Sequence, residues 1–275
     1  MRTSSERAER VDTRLGSLAV RRVGTGDMTV FWSSMFVDSH TWDSALPLLL
    51  AGAPEREFVL IDPPGLGLSE PLSRRSSIAE AADAARDALA GLGATSPVDW
   101  VGNAFGGHVG YQLATDPSTI RSFVAISAPT EPVPAHLRRK IAVLHPVLRL
   151  MGAVGPVRAA VISAMLTDAS AATPGIRDVV VDSLNRPTRA SMSHALRSFI
   201  IDRTDVTDRL SGIGVPSLFI ASDDRGDWSP EDAQRAAASS PHATSVTIAG
   251  ARTLVPLEQP RAVAQAILAF WAANE

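Results

Sequence analysis

Val101-Gly102-Asn103-Ala104-Phe105-Gly106-Gly107 decides the fold. It joins the apolar run Val98–Val101, read as a strand, to Phe105–Thr115, whose apolar residues recur at helical spacing. Glycines on both sides of the middle residue suit a sharp strand-to-helix turn, where larger side chains would collide. The residue at the apex is Ala104. A methyl group has no lone pair, so the tip of this turn cannot attack a carbonyl.

The same alternation spreads outward from that turn. Leu18–Val23 and Met28–Trp32, separated by Gly24-Thr25-Gly26, are expected to form a hairpin at the start of the sheet. Phe58–Asp62 reads as a strand followed by the turn Pro63-Pro64-Gly65, and Ser77–Leu92 as a helix capped by Ser76 or Ser77. Arg121–Ile126 is again a strand. After Pro129 the pattern changes, and residues from about Glu131 to Leu210 are helical with no convincing strand. Alternation then resumes with strand Pro216–Ala221, helix Pro230–Ser239, strand Ser245–Ile248 and helix Gln259–Ala272. Strands alternating with helices define an α/β fold with a largely parallel sheet. The two flanking halves need each other to bury their faces, so the helical stretch reads as an inserted cap. The expected division is a flexible N-terminus 1–14, a core of 15–130 and 211–275, and a cap 131–210.

Composition narrows the function classes. The 275 residues carry a net charge of −3, and the cations are scattered arginines with a single lysine, Lys140, which excludes a nucleic-acid stripe. The absence of cysteine excludes disulfides, thiolate metal sites and a cysteine nucleophile together. Met1–Arg14 is polar and lacks the apolar centre of a secretion signal, so a cytoplasmic location is the default. Ile141–Leu166, the most apolar stretch, is interrupted by His145, Pro146, Arg149, Gly155, Pro156 and Arg158, and reads as two amphipathic helices rather than a membrane span. No ligand spacing or phosphate-cradling loop implies a metal or organic cofactor, and none is expected. The expected partner is a small molecule, with no nucleic acid and no membrane; a homodimer is left open.

Four segments, in this order, resemble the α/β-hydrolase superfamily over nearly the whole chain after the first dozen residues. They are Asp62-Pro63-Pro64-Gly65-Leu66-Gly67-Leu68-Ser69, the turn Val101–Gly107, Pro216–Asp224 followed by Pro230, and Gly250–Pro260. The resemblance implies a mostly parallel eight-stranded sheet flanked by helices, with an inserted helical cap. It places Ala104 at the nucleophile of a nucleophile elbow, with Gly102 and Gly106 retained. It places Asp224 at the triad acid, with Asp223 as the competitor one residue away. Gly250-Ala251-Arg252-Thr253 stands where the family has a histidine loop, so Thr253 replaces the base and Arg252 a glycine. Threonine cannot take a hydroxyl proton near neutral pH. A substitution made to trap a substrate needs one change, not several neighbouring departures, so natural loss is the better account. The family's His-Gly is Ser33-Ser34 here, followed by Met35, Phe36, Val37 and Asp38. By position the oxyanion donors are the backbone amides of Met35 and Phe105, which survive any side-chain change.

Each of these residues also has a plain structural reading. Asp224 and Arg252 are expected to form a compensating ion pair, or else Asp224 works as an acid or base itself. Asp38 and His40 either face the cavity or cap the next helix, which buries Trp42. Asn103 is expected to be a structural hydrogen-bonder and His108 to pack under the sheet; His136, His145 and His194 lie in the cap. The cap residues Val143, Leu144, Val147, Leu148, Leu150, Met151, Val161, Ile162, Met165 and Leu166 either roof a mostly apolar pocket or form the cap's own core. Three functions follow. The leading expectation is a non-hydrolytic enzyme of lyase, isomerase or cyclase type that positions a substrate and stabilises an oxyanion. The second is a ligand-binding or sensing pseudo-hydrolase. The third is an esterase, lactonase or carbon–carbon hydrolase carrying an inactivating Ala104.

Overall fold

The computed structural model describes residues 6–224, 226 and 228–274. Eight strands form one sheet: β1 (Arg7–Thr13), β2 (Gly16–Gly24), β3 (Asp27–Trp32), β4 (Arg56–Ile61), β5 (Val98–Asn103), β6 (Ile120–Ile126), β7 (Ser217–Ser222) and β8 (Ala243–Ile248). Their spatial order is β1-β2-β4-β3-β5-β6-β7-β8. β2 runs antiparallel to β1 and β4, and every other neighbouring pair is parallel. The central strands β4, β5 and β7 are buried at every residue, because helices cover both faces of the sheet.

Two sequence expectations are corrected at the start of the chain. Residues 7–13, taken as part of a loose lead-in, form the edge strand β1; residues 1–5 of that segment lie outside the described residues. The strand's one buried residue is Val11, so it carries almost no apolar alternation to read. Nor do Leu18–Val23 and Met28–Trp32 form a hairpin. β4 lies between them, pairing Val20 with Ile61 on one side and Val30 with Val59 on the other. The hairpin partner of β2 is β1, closed at Thr13 and Gly16.

Helices α1 (Leu46–Gly52), α2 (Ile78–Gly91) and α3 (Phe105–Leu113) alternate with the first strands. α2 starts where Ser77 Oγ accepts from the Glu80 amide at 3.1 Å. Between β6 and β7 the chain is helical: α4 (Ala135–Met151), α5 (Gly155–Met165), α6 (Asp168–Ala171), α7 (Pro174–Asn185), α8 (Arg189–Leu196), and a π-helical turn, Arg197–Ile201. After β7 come α9 (Pro230–Ala238), α10 (Val255–Glu258) and α11 (Pro260–Ala272). Among the described residues no helix is long and apolar enough to cross a membrane.

One core packs α2, α3 and α9 against the sheet and continues into the inserted helices through Leu148, Val161, Ile162, Met165, Leu166 and Phe199. A second lies on the other face, where Leu46, Leu49, Val263, Ile267 and Trp271 meet Phe31, Phe58 and Val101. Three residues expected among the pocket-roofing aliphatics are instead on the surface: Val143 is 73% exposed, Leu150 70% and Met151 64%. Helical spacing identifies a face, but which face meets the core is decided by the neighbours.

The insert is fastened by hydroxyls. Ser191 Oγ on α8 donates to the Gly65 carbonyl at 2.7 Å and accepts from the Leu72 amide at 3.0 Å, and Ser198 Oγ accepts from the Ser76 amide at 2.8 Å. At the opposite end of the parallel strands Asp99 is paired with Arg56 and Arg121, and Arg56 also lies 4.3 Å over the Trp271 ring.

Candidate active site

Ala104 sits between β5 and α3 with φ 45° and ψ −100°, a conformation that L residues avoid. The surroundings hold it there. Its amide donates to the Ile126 carbonyl at 2.7 Å, and its carbonyl accepts from the His108 amide at 3.0 Å. A β-carbon on Gly102 would lie 2.1 Å from the Gly106 carbonyl carbon, and one on Gly106 would lie 2.1 Å from the Trp32 carbonyl oxygen. Both positions are therefore closed to any side chain, and the turn is as tight as the spacing predicted. Ala104 is half-buried, and its neighbour Phe105 is stacked at 4.2 Å on Phe199 of the insert.

The amides of Met35, after β3, and Phe105, at the start of α3, have no hydrogen-bond partner among the described residues. The first turn of a helix leaves such donors free by construction. Ser33 and Ser34 are buried, and Ser33 has a structural task. Its Oγ donates to the Asp38 carbonyl at 2.9 Å and accepts from Trp42 Nε1 at 3.2 Å. Phe36 is half-buried and has φ 69°.

Asp224 follows β7. Arg252 Nη2 donates to its Oδ2 at 2.8 Å. The Arg252 side chain is only 5% exposed, and its Nη1 also bonds the Ser163 carbonyl on α5. Asp223 plays a different part, accepting from the Gly250 amide at 2.8 Å. Thr253 is tied to the same helix: its Oγ1 donates to the Ala164 carbonyl at 3.0 Å and its amide to the Met165 carbonyl at 3.2 Å. Asn103 brings this loop against the turn, donating from Nδ2 to the Thr253 carbonyl at 2.9 Å. The structure thus gathers Ala104, Phe105, Met35, Asp224, Arg252 and Thr253 at the carboxyl ends of the strands, the usual location of ligands in open α/β sheets.

Asp38 belongs to a separate cluster. It is fully buried, caps the short turn Ser39–Trp42, bonds the His40 ring at 2.8 Å and pairs with Arg186, the residue that follows α7. Burial works to raise its carboxyl, but the His40 hydrogen bond and the Arg186 charge outweigh this and hold it below the usual range. The same hydrogen bond raises His40. His108 is buried beneath the turn, donating from Nε2 to the Pro129 carbonyl at 2.9 Å. Desolvation, helped by the Arg203 charge, pushes it down to about 3, so the ring is neutral. Among the described residues no group of three or more His, Cys, Asp or Glu side chains could hold a metal.

Several residues that organise the site were not singled out from sequence. Glu258 accepts from the Arg252 amide with Oε2 and from the Thr167 amide with Oε1, each at 2.8 Å, and so joins the loop to the insert. Ser127, at φ 48°, and Ser222 both donate to the Arg252 carbonyl. Glu258 carried one readable signal, an acid between the apolar run Leu254–Leu257 and Pro260. The serines carried none.

These features define a capped, single-domain α/β-hydrolase fold with a strained turn after its fifth strand. The chain belongs to the alpha/beta hydrolase family, whose model matches residues 29–266. Comparison with the curated proteins finds no match. Among solved structures it is similar to a thermophilic esterase from Thermogutta terrifontis, at 19% identity over 97% of this chain and 98% of that one, with a TM-score of 0.84. It is similar to the enol-lactonase from Burkholderia xenovorans LB400, at 17% identity over 96% and 100% of the two chains, with a TM-score of 0.85. A hydrolase from Pseudomonas aeruginosa PA01 matches at 23% identity over 96% and 98%, with a TM-score of 0.83.

These relatives correct the leading expectation drawn from sequence. A lyase, isomerase or cyclase has no counterpart among them, nor has a sensing pseudo-hydrolase; they are an esterase, a lactonase and a hydrolase. The missing side chains at 104 and 253 were read as a change of chemistry. The scaffold around them is that of hydrolases, and the third reading is the one these comparisons favour.

Proposed function

We propose that the site is built for a carboxylic ester or lactone, on the plan of a serine hydrolase, with Ala104 in the nucleophile's place and Thr253 in the general base's. The observation that carries this reading is the backbone of Ala104. Alanine has no intrinsic reason to adopt φ 45° and ψ −100°, a conformation costing on the order of 1–3 kcal/mol. In a hydrolase this strain lifts a hydroxyl to the head of the turn, facing the carbonyl it attacks. The unpartnered amides of Met35 and Phe105 suit the oxygen that becomes negative when the carbonyl carbon turns tetrahedral.

The catalytic roles follow position by position. A serine hydroxyl at 104 would add to the carbonyl carbon, and an imidazole at 253 would take its proton and pass it to the departing alkoxide. Water would then repeat the addition and release the acid. Asp224 would orient that imidazole once freed from Arg252. The Arg252–Asp224 pair occupies the acid in the present sequence, so Arg252 is the third departure that matters.

The test is reconstruction. Ala104→Ser, Ala104→Ser with Thr253→His, and that pair with Arg252→Gly are assayed on short-chain p-nitrophenyl esters and simple lactones, with folding checked by circular dichroism. The expected order of rates is single below double below triple, the base adding about a hundred-fold or more. Folded double and triple variants that hydrolyse neither substrate class above buffer would overturn the reading.

A further inference from the structure

A cavity of about 820 Å³ lies in the helical insert, bounded by α4, α8, the turn at Arg197 and the loop at Arg75. Its lining is strongly cationic: Arg75, Arg149, Arg189, Arg197, His145 and His194 all contribute, and among the described residues no carboxylate does. That is unexpected in a chain of net charge −3. Arg75 is neutralised from outside by Asp202, and Arg189 is held by the Leu150 carbonyl. Arg149 and Arg197 have no acidic partner among the described residues, and the buried Nε of Arg197 has no acceptor. His145, bonded to Ser193 Oγ at 2.8 Å, is pushed below its usual value by burial and then by the charges of Arg197 and Arg149. The charges of Arg197 and Arg149 thus both act on His145, a repulsion that a bound anion would relieve.

We propose that this cavity binds a phosphate ester, its phosphoryl group held by Arg149, Arg189 and Arg197 and its organic part lying against Leu150 and Ala190. A carboxylate is satisfied by one guanidinium in a bidentate pair; several guanidiniums converging with two imidazoles match an oxyanion with three acceptor oxygens. The volume falls in the range of small-molecule sites and far exceeds a bare ion, so the group comes attached to something larger. Leu150 and the neighbouring Met151, both largely exposed, give the rim an apolar edge for that remainder. The site shares no residue with the turn at Ala104, so the proposal does not depend on the reading of that site.

Titration calorimetry with pyrophosphate and flotation with phosphatidylcholine vesicles containing phosphatidic acid test it on the full chain. Pyrophosphate is expected to bind, with affinity falling about ten-fold in Arg149→Ala and in Arg197→Ala, since each removes one charge-assisted contact. Arg139→Ala, on the same helix but outside the lining, is the control expected to bind as the parent does. Arg149 is exposed, so its replacement leaves the fold intact even if Arg197→Ala does not. Pyrophosphate binding without vesicle binding assigns a soluble phosphate ester, and vesicle binding that pyrophosphate displaces assigns a lipid headgroup. Binding of neither probe, or an Arg149→Ala protein that binds like the parent, overturns the proposal.

Discussion

The two halves of the candidate site have fared differently. On the β5–α3 side, the backbone sets the geometry: a strained residue, two crowded glycines and two amides without partners among the described residues. On the β7–β8 side, side chains dock the helical insert. Thr253 and Arg252 reach the carbonyls of Ala164 and Ser163, Arg252 also claims Asp224, and Glu258 spans from the loop to Thr167. The contrast follows from where each half keeps its information. A turn made by the backbone, fixed by steric exclusion at Gly102 and Gly106, survives any change of side chain at 104. A contact made of side chains changes with each of them, and here Arg252, Thr253 and Glu258 spend their hydrogen bonds on packing the insert.

If the docking half is now structural, its substitutions should show in stability. Arg252→Ala is expected to have the largest effect, lowering unfolding free energy by about 3 kcal/mol, because it removes two charge-assisted hydrogen bonds, to Asp224 and to the Ser163 carbonyl on α5. Chemical denaturation measures this directly, and a change under about 1 kcal/mol would mean the ion pair does not hold the insert.

The turn half has its own signature in acid. His108 sits at about 3 in the folded protein against an ordinary 6.5. As pH falls from 6.5 towards 3 the unfolded chain takes up a proton that the folded chain refuses, so stability drops across that window. His108→Gln, which can still donate to the Pro129 carbonyl, is expected to flatten this limb while leaving stability at neutral pH nearly unchanged. An acid limb of undiminished slope in the variant would show that the ring is protonated in the fold.

Two smaller effects sharpen the contrast. Glu258→Ala leaves the Arg252 and Thr167 amides without acceptors, at a cost of roughly 2 kcal/mol. Hydrogen exchange should then accelerate at the insert and in the loop together; acceleration in the loop alone would mean that the two are not coupled through this carboxylate. Thr253→Val removes one hydroxyl donor and should cost about 1 kcal/mol. A cost near zero would show that the backbone bond to Met165 suffices to hold the insert.

Sequence reading was strongest where local rules decide the outcome. The turn at Ala104 was legible because glycine spacing and a strand-to-helix change of period leave few alternatives. The Arg252–Asp224 pair was legible only once the resemblance had brought their two segments together, after which opposite charge made the pairing the natural expectation. The edge strand β1 escaped because six of its seven residues are not buried and most are charged. The supposed hairpin failed because β4, distant in sequence, inserts between β2 and β3. In the insert, Val143, Leu150 and Met151 fit an apolar face that has no partner in the fold, whereas Phe199, which stacks on Phe105, lies far from the turn in sequence.

If the turn presents residue 104 as a nucleophile is presented, a serine placed there should react. The direct measurement is intact-protein mass spectrometry of the Ala104→Ser, Thr253→His protein after treatment with a fluorophosphonate. A single phosphonyl adduct mapping to residue 104 is expected, absent from the parent protein. A folded variant that stays unmodified, or an adduct placed elsewhere, would contradict it.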